Sequence, residues 1–357
     1  MVSCTAQRAL TPQHGVKRTK VSPEAAEAKR LKELTKIQAY TALEEDVLAR
    51  RKANDYSPEA LKQTTALLDL NPEFYTIWNY RRNILSRGLI PSSTPEEVVA
   101  LLTADLRLTA AYMKVHPKVY WIWTHRKWCL ENVPPGPGGS EGWREEFWRT
   151  ELAVVEKILS ADARNFHAWS YRRYVVDSLP AGFTPPRTPA DELKYTTKKI
   201  EANFSNFSAW HYRTKLLGKE WAGLPADEVA AQKDKEFELV TQALWTDPGD
   251  QSGWLYHRWL VGTAPTVPVL KREVGNIREL NDAEPDSKWC MNALAHNLLL
   301  LASFSSEAEA NVLRAEAKGL LERLEVIDED RKERYRELGG CLHRGCLHPL
   351  TPAASKQ

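Results

Sequence analysis

No apolar run in this chain is long enough to cross a membrane. The longest candidate, Met291 to Phe304, is broken by Asn292, His296 and Asn297, and a spanning helix needs roughly 20 apolar residues. The N-terminus lacks the apolar core of a secretory signal. The five cysteines form no even, closely spaced framework, so they read as reduced thiols of a cytoplasmic protein. An excess of one charge is missing too. The 49 Lys and Arg offset the 47 Asp and Glu to leave +2, which gives no electrostatic case for nucleic-acid binding. The basic stretch Lys17-Arg18-Thr19-Lys20 is short and reads as a solvated tail. Strand-type alternation is absent, as are phosphate-loop, nucleophile-elbow and dinucleotide fingerprints.

Against these absences stand 13 tryptophans in 357 residues, and their placement explains their number. The segments NPEFYTIWNYRR, HPKVYWIWTHRK, DARNFHAWSYRR, NFSNFSAWHYRT and DPGDQSGWLYHR align without gaps. Their tryptophans, Trp78, Trp123, Trp169, Trp210 and Trp254, are 45, 46, 41 and 44 residues apart. A degenerate sixth copy, DAEPDSKWCMNA, centres on Trp289. Seven residues before the tryptophans stand Asn71, His116, Asp162, Asn203, Asp247 and Asp282. Five of these are N-cap types, and Pro72, Pro117 and Pro248 follow them at what would be the first helical position. Each motif is therefore expected to open a helix.

A second helix precedes each motif. TPEEVVALL is a capping box with Thr94 as cap and Glu97 three residues on, and TPADELKYTTKKI repeats the design with Thr188 and Asp191. Leu152, Val155 and Leu159 form one helical stripe, as do Phe237, Val240 and Leu244. The expected fold is all-α: an α–α superhelix, a right-handed solenoid of helical hairpins of tetratricopeptide-like kind. A flexible segment at 1–30, a single superhelical domain over 31–336 and a tail at 337–357 divide the chain. Loops rich in Pro or Gly are expected at 133–142, 179–189 and 263–268. The repeated tryptophans read as core anchors. The basic residues three places later, Arg81, Arg126, Arg172 and Arg213, with His257 in the fifth copy, read as ties to a carboxylate or carbonyl.

Function should appear where one copy departs from the rest. Five residues before the tryptophan the copies carry Glu73, Lys118, Arg164, Ser205, Gly249 and Glu284. That position is expected in the first helical turn, where the helix dipole disfavours cations. Lys118 and Arg164 break the preference in adjacent copies. They are either solvated surface cations or, joined to free backbone N–H groups, an anion site suited to phosphate. Tyr75, Tyr120, Phe166 and Phe207 stand three residues before the tryptophan. Trp121 and His167 replace Thr and Ser of other copies, and Asn165 lies beside Arg164. Together they make a polar pocket edge without a general base, nucleophile or metal set of its own. The tail run CLHRGCLH, with Cys341, His343, Cys346 and His348, has residue types that suit zinc. Its spacings are tighter than the usual separated ligand pairs, so no metal site is assigned there.

The repeat with its Trp-x-(Tyr/His)-Arg centre resembles the α subunits of protein prenyltransferases, from about Ser22 to about Arg336. DARNFHAWSYRR, NFSNFSAWHYR, DPGDQSGWLYHRWLVG and EPDSKWC are most similar to the type II kind, that of Rab geranylgeranyltransferase. The resemblance implies a superhelix that wraps a separate β subunit, which carries the zinc and most of the isoprenoid pocket; this chain binds no cofactor or metal itself. It implies geranylgeranyl diphosphate at the subunit interface, Rab GTPases as acceptors and a Rab escort protein to present them. Carried over by motif, the diphosphate-facing lysine falls on Lys118, its nearby tyrosine on Tyr120 and the third-repeat histidine on His167. Asn165 and Arg164 lie beside that histidine, and Tyr75 holds the matching edge of the first repeat. Trp121 stands where farnesyl-type subunits have a glutamine that contacts the substrate carboxylate, a departure that argues against CaaX-box recognition. Two other readings remain: the α subunit shared by farnesyltransferase and geranylgeranyltransferase I, and a non-enzymatic tetratricopeptide-like scaffold.

Overall fold

The computed structural model describes residues 22–180, 182–262 and 265–343, with side chains through residue 340. Every regular element among them is helical. They group into two compact units that part between Arg187 and Thr188. The first unit holds α1 (Pro23–Lys52), α2 (Pro58–Leu70), α3 (Tyr75–Asn83), α4 (Pro95–Val115), α5 (Tyr120–Glu131), α6 (Gly142–Ala161) and α7 (Phe166–Asp177). The second holds α8 (Pro189–Ala202), α9 (Phe207–Trp221), α10 (Ala226–Thr246), α11 (Gln251–Gly262), α12 (Val267–Ala283), α13 (Lys288–Ala302), α14 (Glu307–Ile327) and α15 (Lys332–His343). Consecutive helices pack as hairpins: α2 on α3, α4 on α5 and α6 on α7, then α8 on α9, α10 on α11 and α12 on α13. Within each unit the second helices of successive hairpins also touch, α3 with α5 and α5 with α7, then α9 with α11 and α11 with α13. That is the stacking of an α–α superhelix. The two capping boxes form as the sequence predicts, at Thr94–Glu97 and Thr188–Asp191.

The motif helices start later than the sequence suggests. Asn71, His116, Asp162, Asn203 and Asp247 are not N-caps; each ends the preceding helix. The side-chain oxygens of Asn71, Asp162, Asn203 and Asp247 accept from the backbone N–H two residues on, at 3.1, 3.3, 3.0 and 3.0 Å. This is an Asx turn, which uses the same residue types as an N-cap. Helices then begin at Tyr75, Tyr120, Phe166, Phe207 and Gln251, three residues before the tryptophan. Asn165 and Asn206 are true caps, accepting from Ala168 and Ala209. In the sixth copy the helix begins at Lys288, so Met291, fully buried, takes the position that tryptophan holds elsewhere.

The five tryptophans are core anchors with a second task. Each indole Nε1 donates to the carbonyl six residues back: Trp78 to Pro72 (2.8 Å), Trp123 to Pro117 (3.0 Å), Trp169 to Ala163 (2.9 Å), Trp210 to Phe204 (2.8 Å) and Trp254 to Pro248 (2.9 Å). The ring fills the core and its one donor pins the inter-helix turn.

The basic residues three places on build buried rungs between hairpins. Arg81 grips both oxygens of Asp105 on α4 and sends its remaining nitrogen back to Leu61 O and Thr64 Oγ1 on α2. Arg126 does the same with Glu151 ahead and Leu106 O and Thr109 behind. In the second unit Arg213 joins Glu236 to Leu193 O and Thr196. A group two residues after the next tryptophan closes each rung on the same carboxylate: His125 on Asp105 (2.7 Å), Tyr171 on Glu151 (2.7 Å) and Tyr256 on Glu236 (2.6 Å). Each rung thus ties four helices. Such a pair adds little net stability over apolar packing, but breaking one half strands a buried charge at a cost of about 3–5 kcal/mol. In the fifth copy His257, on Glu273 at 3.0 Å, stands in for the arginine.

Candidate functional site

The first unit brings Tyr75, Lys118, Tyr120, Trp121, Arg164, Asn165 and His167 to the starts of α3, α5 and α7. Lys118 does not occupy a first helical turn. It lies in the turn between α4 and α5, two residues before Tyr120, and Arg164 holds the equivalent place before α7. The expected violation of helix-dipole preference is therefore milder, because these side chains stand in front of the helix N-terminus rather than within it. Val119, the N-cap of α5, makes no side-chain capping bond, so its first N–H groups lack a side-chain cap. Both cations are exposed, and neither makes an ion pair among the described residues.

The turn bearing Lys118 is held from two sides. Trp123 grips the preceding carbonyl of Pro117, and the imidazole of His167 hydrogen-bonds the backbone of Lys118 itself. Burial lowers the His167 pKa, and the Lys118 ammonium lowers it further. The backbone bond and the Glu73 carboxylate act the other way without reversing the shift. Burial thus favours the neutral form of His167, whose imidazole lies against the Lys118 backbone.

Aromatic contacts join the remaining residues. Tyr120 meets the His167 ring edge-on at 4.2 Å and Phe166 at 6.0 Å, and Tyr75 lies against Trp121 at 5.4 Å. Tyr75, Tyr120 and Phe166 are each more than half exposed, so the starts of three adjacent hairpins present aromatic surface of the kind that marks an interface. Asn165 is buried; its carbonyl oxygen caps α7 while its amide nitrogen has no hydrogen-bond partner among the described residues. Sequence reasoning missed Glu73, which it took only as a dipole-friendly acid. Its carboxylate acts on His167, a relation between the first and third hairpins that no local pattern reveals.

Asp105, His125 and Cys129 have metal-type side-chain atoms within 4.8 Å of one another. Both carboxylate oxygens are already held by Arg81 and His125, and burial pushes the Cys129 thiol well above its ordinary pKa. The chemistry is that of a closed core rung, not of an open metal site. Cys346 and His348 lie outside the described residues, as do the side chains of Cys341 and His343.

Comparison with known proteins identifies the family. The model of the protein prenyltransferase alpha subunit repeat matches residues 57–88, 102–133, 148–179, 189–220 and 233–264, one match for each tryptophan from Trp78 to Trp254. The geranylgeranyl transferase type-2 subunit alpha of Schizosaccharomyces pombe is 40% identical over 350 residues, covering 91% of this chain and 97% of that one. This chain belongs to the protein prenyltransferase α-subunit family. The type-2 subunit alpha of Saccharomyces cerevisiae is 36% identical, covering 91% of this chain and 98% of that one. The corresponding protein of Sus scrofa is 39% identical over 266 residues, which span 72% of this chain and 43% of that longer one. Among solved structures, Candida albicans protein geranylgeranyltransferase-I complexed with GGPP superposes with a TM-score of 0.65 at 22% identity. The match covers 85% of this chain and 91% of that one and shows the shared all-α superhelical fold. No helix among the described residues is long and apolar enough to cross a membrane.

Proposed function

We propose that this chain is the α subunit of a heterodimeric Rab geranylgeranyltransferase, wrapping a β subunit and offering Lys118 to the diphosphate of geranylgeranyl diphosphate. The observation that carries the reading is Lys118: an exposed ammonium with no carboxylate partner among the described residues, on a turn anchored by Trp123 and His167. As the prenyl C1–oxygen bond breaks, negative charge grows on the departing diphosphate. A fixed cation stabilises that charge more in the transition state than in the ground state. Tyr120 supplies a hydroxyl donor beside it, Arg164 a second cation, and the unpartnered amide of Asn165 a neutral donor. Tyr75 and Trp121 wall the same end. His167 is best placed as a positioning residue, since its imidazole lies against the Lys118 backbone. Zinc, expected on the β subunit, would bind the acceptor cysteine of Rab and lower its thiol pKa, so that the sulfur attacks C1 as a thiolate.

The type-2 relatives, at 34–40% identity, favour this assignment over the subunit shared by farnesyltransferase and geranylgeranyltransferase I. The unpaired cations beside exposed aromatics favour it over a scaffold, which has no use for a held lysine. The chain should copurify with a type II β subunit from the cytoplasm and prenylate Rab only when Rab escort protein is present. Transfer to a CaaX peptide without escort protein would instead assign the shared subunit, and failure with every β subunit would leave the scaffold.

A further inference from the structure

At the far end of α3 from Tyr75 the chain does something not seen in the other hairpins among the described residues. After Asn83 the helix passes into a π-helical turn over Ile84–Leu89, a costly local geometry often found at functional sites. Gly88 is required there, because a Cβ would fall 2.3 Å from the carbonyl oxygen of Tyr56. The close approach sets Arg87 against the α1–α2 connection. Its guanidinium lies 3.4 Å from the Tyr56 hydroxyl, which in turn donates to Asn54 Oδ1 at 3.0 Å. Asn54 has a left-handed backbone (φ 56°), a conformation asparagine tolerates better than most residues.

Between these pieces lies a half-open cleft of about 520 Å³, within the usual range for small-molecule sites. Arg51, Lys52 and Arg87 line it together with Asn54, Tyr56 and Asn83, and no carboxylate does. None of the three cations makes an ion pair among the described residues, whereas neighbouring Arg50 is tied to Asp46 and Asp55. Arg51 and Lys52 close α1, where cations suit the helix dipole. Arg87 likewise stands in the last turn of its own π-helical segment, so the dipole explains each cation singly but not why two helix ends bring all three to one cleft. Three positive charges without ion-pair partners among the described residues, around one cleft with the amides of Asn54 and Asn83 between them, call for a polyanion. Two phosphate groups carry about −3 to −4 at pH 7, which matches the lining.

We propose that this cleft binds a compact polar ligand bearing two or more phosphate groups. Its lining on this helix runs from about 8 to about 18 Å beyond Tyr75, at ~1.5 Å per residue, so it is separate from the Lys118 end and does not rest on the function proposed above. The phosphates could belong to a soluble molecule or to a lipid headgroup, and the test distinguishes them. The full chain, expressed with its β partner, is titrated with myo-inositol trisphosphate by calorimetry. It is also sedimented with phosphatidylcholine vesicles containing a minor fraction of phosphatidylinositol bisphosphate. One saturable site is expected that persists in Lys118→Ala and weakens about tenfold or more, ~1.4 kcal/mol, in Arg51→Gln/Arg87→Gln, whose melting curve and prenyl transfer stay as in the parent. Saturable trisphosphate binding without vesicle binding identifies a soluble ligand; residue-dependent vesicle binding identifies a headgroup. Three results overturn the proposal: no saturable binding of either probe, equal binding by the double variant, or binding abolished by Lys118→Ala.

Discussion

The indole of Trp123 donates to the carbonyl of Pro117 at 3.0 Å, so a packing residue holds the peptide immediately before Lys118. The same bond recurs in the first five copies, which makes each anchor both a core side chain and a clamp on its turn. Trp123→Phe keeps the aromatic bulk and removes the donor. It should cost about 1 kcal/mol of stability and slow prenyl transfer by loosening Lys118, whereas Trp78→Phe should lower stability similarly with a smaller effect on rate. Chemical denaturation and single-turnover kinetics on the two variants separate these outcomes.

The buried rungs predict strong non-additivity. Arg126→Leu strands Glu151, which is fully buried and keeps only the Tyr171 hydroxyl as a partner, and should cost about 3–5 kcal/mol. Glu151→Leu should be comparably damaging, because it strands the guanidinium. The double variant should lose clearly less than the sum of the two, since no charge is then left unpaired. Additive losses in urea melts would mean that the rung is not a coupled pair.

Much of this architecture is legible in the sequence. The tryptophan register, the arginine ties and the two capping boxes appear as expected, because each depends on residues close in sequence or repeated at a fixed period. The helix starts are not legible, since Asn71 or Asp162 can serve equally as an N-cap or as the first residue of an Asx turn. Only the position of the indole bond decides between them. The sixth anchor is hidden for a related reason: Met291 fills the tryptophan's place, and the nearby Trp289 draws the eye. At the candidate site, Lys118, Arg164, Trp121 and His167 stand out by comparison between copies. Glu73, the backbone bond of His167 and the π turn before Ile90 come from three-dimensional contacts that no single repeat encodes.

His296 gives a pH test in the second unit. Burial, with Arg258 and then His257 and Arg334 nearby, lowers its pKa from 6.5 to about 4. A histidine with a depressed folded pKa contributes stability that is fully present above about pH 6.5 and is lost as pH falls toward 4, because only the unfolded chain takes up the proton in that window. The full shift corresponds to roughly 3 kcal/mol. His296→Gln should flatten the fall in stability between those pH values, and an unchanged slope in melts across that window would rule out His296 as its source.

The central claim rests on Lys118, and single-turnover prenyl transfer by the reconstituted heterodimer tests it most directly. Lys118→Ala, compared with the parent at saturating geranylgeranyl diphosphate and Rab presented by escort protein, should form the heterodimer normally. It should bind the lipid diphosphate with modest loss and transfer the prenyl group about 10²-fold more slowly, the usual scale for removing one charge-stabilising group. An unchanged single-turnover rate in an intact heterodimer would contradict the account and return Lys118 to the protein's solvated surface.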